Sequence, residues 1–403
     1  MPGYQQPSTL TRRELLEQSL RAAGVAAVGA ALPGLSVGRM AVADVETAKS
    51  GGERREMMRK AMYDSDTHFQ GLYASVPRQF AFNATTPPEL KSWQNRFRPR
   101  LREALGLTNI ERDLSGYRPK AERSEQTDLG DYVREKWHLW TEPDVPLPFW
   151  LLLPKGRPGR LPLVLTPHGH NDPDIYAGIA KNEEQKKSIA EGQRDIAVQD
   201  VREGYIAIVP TARGFGETMT QADIEQGKGC SCRTELLHGL LVGRTPIGER
   251  VWDISRLIDW ALERDDVDGS RIAITGNSGG GTTSLFAAAC ETRITVAVPS
   301  CYFCTFAGSI GTIFHCDCNY VPGIMRLGEM YDVAGLIAPR PFCAIAGKDD
   351  TIFPIKHVRE AFRRLRQVYQ VAGVPERCTL YVGAGGHRYY SAGAWPFIRK
   401  WFG

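Results

Sequence analysis

A short apolar run that ends in a glycine-framed serine is the feature that most constrains this chain. Ile272–Thr275 is apolar and rich in β-branched residues, which predicts a buried strand. Gly276–Gly280 then reads G-x-S-x-G around Ser278, and Thr282–Ala289 favours a helix. A strand, a sharp turn and a helix hold a serine in a strained conformation with its hydroxyl exposed, so Ser278 is the candidate nucleophile. A plain glycine-rich turn is the alternative for the pentapeptide taken alone.

The order of strand-like and helix-like segments predicts the fold class. An antiparallel hairpin comes first, and strands then alternate with helices, which is typical of a mostly parallel sheet covered on both faces. We therefore predict an α/β fold with a mostly parallel central sheet, helices on both faces and an N-terminal helical extension. Ligands of such sheets bind at the carboxyl ends of the strands. The predicted strands are Tyr132–Trp140, Leu147–Leu153, Leu161–Thr166, Tyr205–Val209, Ile272–Thr275, Thr295–Pro299, Arg340–Ala346 and Cys378–Val382.

A serine hydroxyl needs a base to take its proton and an acid to orient that base. The chain offers both after Ser278, each just past a predicted strand. His387 stands in a Gly-Gly-His sequence after the last strand and is the candidate base, with a loop or helix-capping histidine as the alternative. Asp349 and Asp350 follow the preceding strand. We predict Asp350 as the acid because it stands closest to the Ile352–Pro354 continuation.

An oxyanion hole needs two backbone amides aimed at the developing negative charge. We expect one from Gly279, directly after the nucleophile, and the other from His170 in the loop after the third strand, with Gly169 as the alternative. His168 and His170 could hold a metal, but no carboxylate or cysteine cluster adjoins them in the sequence, so we expect none. Arg213, in a glycine turn at a strand end, either braces its loop or contacts substrate.

These motifs together resemble the α/β-hydrolase superfamily, and they are most similar to its acetyl xylan esterase, cephalosporin-C deacetylase and dienelactone hydrolase-like branch. The resemblance covers roughly residues 130 to 403. It implies a serine esterase that cleaves carboxylic esters, including acyl esters of carbohydrates, through an acyl-enzyme and without a cofactor or metal. Asn277 and Gly279 depart from the Gly-x-Ser-Gln-Gly form of the better-known deacetylases, and His170 stands where they commonly have tyrosine.

Three other functions share parts of this pattern. A serine peptidase of the prolyl-oligopeptidase type has the same order of catalytic residues, but it usually carries a β-propeller for which the lead-in is too short. A non-catalytic binding protein could keep the fold, although a complete set of catalytic residues argues against it. A metal-dependent deacetylase would lose its activity to a chelator.

The N-terminal segment resembles an export signal. Arg12 and Arg13 form a twin-arginine pattern, Ala22–Leu35 is weakly apolar, and Ala41–Ala43 has the small-x-small form of a cleavage site. We predict a signal peptide over residues 1–43, a helical lead-in over 44–130 and a hydrolase domain over 131–403, in a periplasmic or secreted protein. The apolar stretch is too short and glycine-rich for a stable membrane anchor.

The net charge of the chain bears on the kind of partner it could bind. The formal net charge is +4 over 403 residues, with no long basic run outside the N-terminal segment, so we expect no nucleic-acid partner.

Nine cysteines include two C-x-C pairs, at 230 and 232 and at 316 and 318. Disulfides between the pairs suit an exported protein. Zinc and free thiols are the alternatives, although structural zinc sites usually space their cysteines C-x-x-C.

Overall fold

One nine-stranded sheet organises residues 63–403, the part of the chain that the computed structural model describes. In chain order the strands are β1 (Ala121–Asp128), β2 (Tyr132–Glu142), β3 (Val145–Pro154), β4 (Leu161–Leu165), β5 (Ile206–Pro210), β6 (Val267–Asn277), β7 (Val296–Ser300), β8 (Phe342–Gly347) and β9 (Cys378–Gly383). Their order in the sheet is β1-β2-β3-β5-β4-β6-β7-β8-β9. Strands β4 to β9 pair in parallel, and β1 to β3 pair antiparallel at one edge, which confirms the predicted sheet.

Thirteen α-helices accompany the sheet within these residues. They are α1 (Ser65–Ser75), α2 (Pro87–Ala104), α3 (Leu107–Asp113), α4 (Glu183–Gly192), α5 (Ile196–Glu203), α6 (Gln221–Glu225), α7 (Cys232–Leu241), α8 (Pro246–Leu262), α9 (Gly279–Cys290), α10 (Ile324–Leu327), α11 (Met330–Gly335), α12 (Ile355–Val371) and α13 (Ser391–Phe402).

Alternating side chains of the central strands enter two separate hydrophobic cores. Leu163 and Leu165 of β4 point into the larger core, which helices α2, α8, α9, α11 and α12 cover. Val164, between them, points into the smaller core, which α5 and α13 cover. Successive residues of a strand face opposite sides of a sheet, so both faces of these strands are buried. This explains why they appear in the sequence as continuous apolar runs.

The sheet begins earlier in the chain than we predicted. Strand β1 (Ala121–Asp128) lies in the segment expected to be a helical lead-in, and it pairs with β2 at the open edge of the sheet. Its residues are charged and mostly exposed, as is common for an edge strand. Without a buried face, it has no hydrophobic alternation from which a strand could be predicted.

The predicted export signal and residues 44–62 lie outside the described residues. Between residues 63 and 403, none of the helices combines the length and apolar character that a bilayer-spanning segment needs.

Candidate active site

Ser278 occupies the turn between strand β6 and helix α9. Its φ of 59° lies in the left-handed region, which residues other than glycine rarely adopt. The turn also brings the chain against the β4 loop, because a Cβ on Gly276 or Gly280 would lie 2.3 or 2.0 Å from the carbonyl oxygen of Pro167. Only glycine fits at these two positions, so the local sequence fixes the strained turn.

His387 and Asp350 meet at the carboxyl edge of the sheet. Nδ1 of His387 lies 2.8 Å from Oδ2 of Asp350, while Oδ1 accepts hydrogen bonds from the amides of Ile352 at 2.9 Å and Phe353 at 3.1 Å. Burial opposes ionisation of Asp350, but these hydrogen bonds and the nearby imidazole outweigh it and hold its pKa below the ordinary value. The neighbouring Asp349 is largely exposed and lies 3.7 Å from Lys348.

One cavity of about 370 Å³ joins these parts. Ser278 and His387 both line it, as do Gly279 and His170. The other lining residues are Gly169, Asn171, Arg194, Asn277, Thr282, Phe314, His315, Cys316, Asn319, Ile352 and Phe353. The candidate nucleophile, base and oxyanion amides, which are far apart in the sequence, therefore surround one space large enough for a small ester group.

The loop after β4 lies against the start of helix α9. A Cβ at Gly279 would stand 3.2 Å from Nδ1 of His170, so the two candidate oxyanion residues are neighbours. The amide of Gly169 donates to the hydroxyl of Tyr176 at 3.3 Å. Within residues 63–403 the amide of His170 donates to no group. This leaves the His170 amide, rather than that of Gly169, available to a ligand.

His168 braces the same loop from the protein interior. Its Nε2 accepts a hydrogen bond from the amide of Ala212 at 2.9 Å, so the proton is on Nδ1, which donates to the carbonyl of Gly169 at 2.7 Å. Burial lowers the pKa of His168 to about 4. Both nitrogens of this neutral imidazole are used by the backbone, so His168 ties the β4 loop to the turn that carries Arg213.

We expect the buried His168 to make the protein sensitive to mild acid. An unfolded histidine has a pKa near 6.5, so as the pH falls the unfolded state takes up its proton first. The contribution of this residue to stability is therefore present above pH 6.5 and is lost towards pH 4. Between pH 7 and pH 5 the free energy of unfolding should fall by about 2 kcal/mol more in the wild type than in His168→Gln. Urea unfolding at both pH values measures this, and identical pH dependence in the two proteins would contradict it.

Arg213 lies in a buried cluster of carboxylates. Its Nε and Nη2 bind the two oxygens of Asp253 at 2.9 and 2.7 Å, and its Nη1 binds Glu142 at 2.6 Å. Glu249 lies 3.6 Å away, and the Arg213 side chain is only 8% exposed. Arg213 is not among the residues that line the cavity. Of the two roles considered for it, these contacts fit the bracing of a loop.

Several lining residues were missed by the sequence analysis, and three of them have aromatic or charged side chains. His315 bonds the hydroxyl of Ser309 at 2.9 Å, and burial lowers its pKa to about 4. Phe314 is 92% exposed at the cavity. Arg194 also faces the cavity, and its buried Nε has no hydrogen-bond partner within residues 63–403. All three belong to loops without a recognisable motif, so only the folded arrangement identifies them.

The expectation that no cysteine cluster adjoins the histidine pair is wrong for His170. The thiols of Cys232, Cys316 and Cys318 surround its imidazole, and the four ligand atoms all lie within 4.8 Å of one another. Nε2 of His170 is 3.3 Å from Sγ of Cys318. The structure has all nine cysteines unpaired, in contrast to the disulfides favoured from the sequence. The spacing in the sequence could not show this, because the fold joins three separate segments.

The chain has the α/β-hydrolase fold, and its similarity to known esterases supports a carboxylic-ester hydrolase. Within that superfamily it is similar to the family described as "Acetyl xylan esterase (AXE1)", whose model matches residues 144–313. The sequence-based resemblance is thereby confirmed.

One relative of similar sequence and two of similar structure illustrate these likenesses. "Putative hydrolase YtaP" of Bacillus subtilis (strain 168) is 26% identical over 265 residues, which cover 63% of this chain and 83% of the relative. A structure from Bacteroides fragilis NCTC 9343 described as a "putative acetyl xylan esterase" is 17% identical and has a TM-score of 0.67, covering 83% of this chain and 84% of its own. A glucuronoyl esterase from Solibacter usitatus is 15% identical with a TM-score of 0.57, covering 81% and 96%. At such identities the two structures support the shared fold.

Proposed function

We propose that the chain hydrolyses carboxylic esters through a triad of Ser278, His387 and Asp350. One observation carries the proposal: a serine in a strained left-handed turn shares a cavity with an imidazole whose far nitrogen bonds a buried carboxylate at 2.8 Å. Strained backbone conformations of this kind cluster at active sites, where they hold a reactive side chain in position.

In the proposed reaction each group has its own step. Asp350 bonds Nδ1 of His387, which leaves Nε2 free to take the proton of Ser278 as its oxygen attacks the acyl carbon. The amides of Gly279 and His170 stabilise the resulting oxyanion. His387 then returns the proton to the leaving alcohol, and an acyl-enzyme forms on Ser278. A water deprotonated by the same imidazole attacks this ester, and His387 returns the proton to Oγ of Ser278 as the acid is released.

We propose esters of carbohydrates as the substrate class. The family model that matches residues 144–313 is that of acetyl xylan esterase, and a structural neighbour is a glucuronoyl esterase. Two residues that line the cavity also support a sugar as part of the substrate. Phe314 holds an exposed aromatic ring at the cavity, and Arg194 adds a positively charged side chain to its lining. Exposed aromatic rings beside a polar cleft commonly serve as binding surfaces.

The exposed ring of Phe314 makes the sugar part of this proposal testable. Phe314→Ala is expected to raise KM for acetylated xylo-oligosaccharides about fivefold, because a ring contact contributes about 1 kcal/mol. Ethyl acetate has no sugar, so its KM should stay the same. Phe69→Ala in α1 removes another exposed aromatic ring, 48% exposed and outside this cavity, and should change neither value. Equal effects of Phe314→Ala on both esters would contradict a sugar-binding role.

A substrate panel tests the reaction class. Acetylated xylo-oligosaccharides, methyl glucuronate, simple aryl esters and aminoacyl amides should be compared with purified wild type and Ser278→Ala. We expect ester cleavage that is lost in the variant and no cleavage of the amides. Preferential amide cleavage would favour the peptidase alternative, and no reaction together with no fluorophosphonate labelling of Ser278 would favour a non-catalytic binding protein.

Export by the twin-arginine route is also a proposal, supported by Arg12 and Arg13 and by the apolar stretch after them. It would place the mature enzyme in the periplasm or medium, starting near Asp44. N-terminal sequencing of the exported protein tests it, and an intact residue 1 in the exported fraction would count against it.

A further inference from the structure

We propose that His170, Cys232, Cys316 and Cys318 form a zinc site beside the active-site cavity. Three separate segments supply the ligands: the loop after β4, the first residue of α7 and the loop that follows β7. Their ligand atoms all lie within 4.8 Å of one another. Bond lengths of about 2.3 Å to sulfur and 2.0 Å to nitrogen place tetrahedral ligands about 3.5 to 3.8 Å apart, so small shifts would seat the ion.

The surroundings of the thiols fit thiolates better than a packed apolar core. Cys232 and Cys318 are buried, at 0% and 1% exposure. Nη2 of the buried Arg250 lies 3.6 Å from Sγ of Cys232, nearer than it does to the carboxylate of Glu235, at 4.0 Å. Three thiolates, a neutral imidazole and Zn²⁺ carry one negative charge together. The guanidinium of Arg250 compensates it, which is what a buried metal site requires.

A disulfide or free thiols explain fewer of these contacts. A disulfide between the C-x-C pairs would use two sulfurs and give no reason for an imidazole 3.3 Å from the third. Thiols are weak hydrogen-bond donors, and three of them around one imidazole gain little from one another. Three sulfurs and one nitrogen are a ligand set of structural zinc sites, and four protein ligands leave no open position for a substrate.

The site would hold the oxyanion loop in place. The backbone of His170 supplies the proposed oxyanion amide, while its Nε2 would be bound to the ion. Next to Cys318, Asn319 accepts a hydrogen bond from Thr282 of the nucleophile helix at 3.1 Å. The zinc would thus fix the β4 loop relative to α9. The metal binding is independent of the proposed function, and only its effect on turnover rests on that function.

Metal analysis of the purified full chain tests the site. After dialysis into metal-free buffer, inductively coupled plasma mass spectrometry should find about one zinc per chain, and X-ray absorption should show three sulfurs and one nitrogen. Cys232→Ser and Cys318→Ser should bind less than a fifth of that amount. Cys230→Ser, from the same C-x-C pair as Cys232 but outside the ligand set, should keep the zinc. The proposal would be overturned if the purified wild type contained no zinc and the thiols at 232, 316 and 318 either reacted with an alkylating reagent or were joined in a disulfide.

His170→Ala covers the case in which a buried cysteine variant does not fold. Its side chain is exposed, so its removal leaves no buried cavity. We expect the variant to fold, as judged by circular dichroism, and to lose zinc to a competing chelator at least tenfold more readily than wild type. Unchanged zinc retention would remove His170 from the site and overturn the four-ligand proposal. If the wild type holds zinc but hydrolyses no ester, the metal site stands and the proposed function fails.

Discussion

Ser278→Ala is expected to lower kcat/KM for a carbohydrate ester by about a thousand- to a million-fold. The variant removes the only group proposed to bond the acyl carbon, and what remains is the stabilisation from the oxyanion amides and binding. His387→Ala should lose a similar amount. The double variant should be no worse than either single one, because the two residues act in the same step. Initial rates with purified proteins, checked for folding by circular dichroism, measure this.

The acid of the triad has a matched control next to it in the chain. Asp350→Asn turns an acceptor beside Nδ1 of His387 into an amide, which favours the wrong imidazole tautomer and should cost about a thousandfold or more in kcat. Asp349→Asn makes the same chemical change on a largely exposed side chain and should alter kcat less than twofold. Equal losses from the two variants would contradict the assignment of Asp350 as the acid. Full activity of Ser278→Ala, the variant of the preceding prediction, would contradict the whole triad.

Local patterns made much of this site predictable. The turn at Ser278 needs only a strand, a tight turn and a helix in succession, and adjacent residues encode all three. Asp350 and His387 follow strands β8 and β9, and parallel strands end at the same edge of a sheet. The choice of Asp350 over Asp349 comes from its position next to the Ile352–Pro354 segment. In the structure it is Asp350 that contacts the imidazole of His387.

Contacts between distant segments could not be predicted in this way. The thiols near His170 come from α7 and from the loop after β7, and their C-x-C spacing differs from that of known zinc loops. Strand β1 was not predicted either, because an exposed edge strand carries no hydrophobic pattern. In both cases the determining interaction is with a partner elsewhere in the chain, which a window of sequence does not contain.

The oxyanion loop illustrates how distant contacts could act together. His168 ties it to the Arg213 turn through the amide of Ala212, and the proposed zinc ties it to α7 and the β7 loop through His170. Arg250 links the two attachments, because its Nη2 donates to the carbonyl of Arg213 at 3.0 Å and lies near Cys232. The position of a catalytic amide would thus depend on buried polar groups outside the cavity, with those around Arg213 the most highly charged.

Arg213→Met is accordingly expected to lower the free energy of unfolding by about 3 to 5 kcal/mol, because it leaves buried carboxylates without their cation. Asp253 loses two hydrogen bonds, and Glu142 keeps only its contacts with Arg244. Arg100→Met is the control. It removes the same side chain from an exposed pair with Glu103 and should cost less than about 1 kcal/mol. Urea unfolding followed by tryptophan fluorescence gives both values.

The bracing role of Arg213 also predicts what its loss should leave unchanged. At a temperature where Arg213→Met is still folded, KM for the ester substrate should stay within about twofold of wild type, since the residue does not line the cavity. Adding Asp253→Leu should restore part of the lost stability, because replacing a whole buried ion pair by apolar groups costs less than removing one partner. A variant that keeps its stability but has a strongly raised KM would instead assign Arg213 to substrate binding. Loss of a residue that only braces a loop should lower the free energy of unfolding and leave KM nearly unchanged.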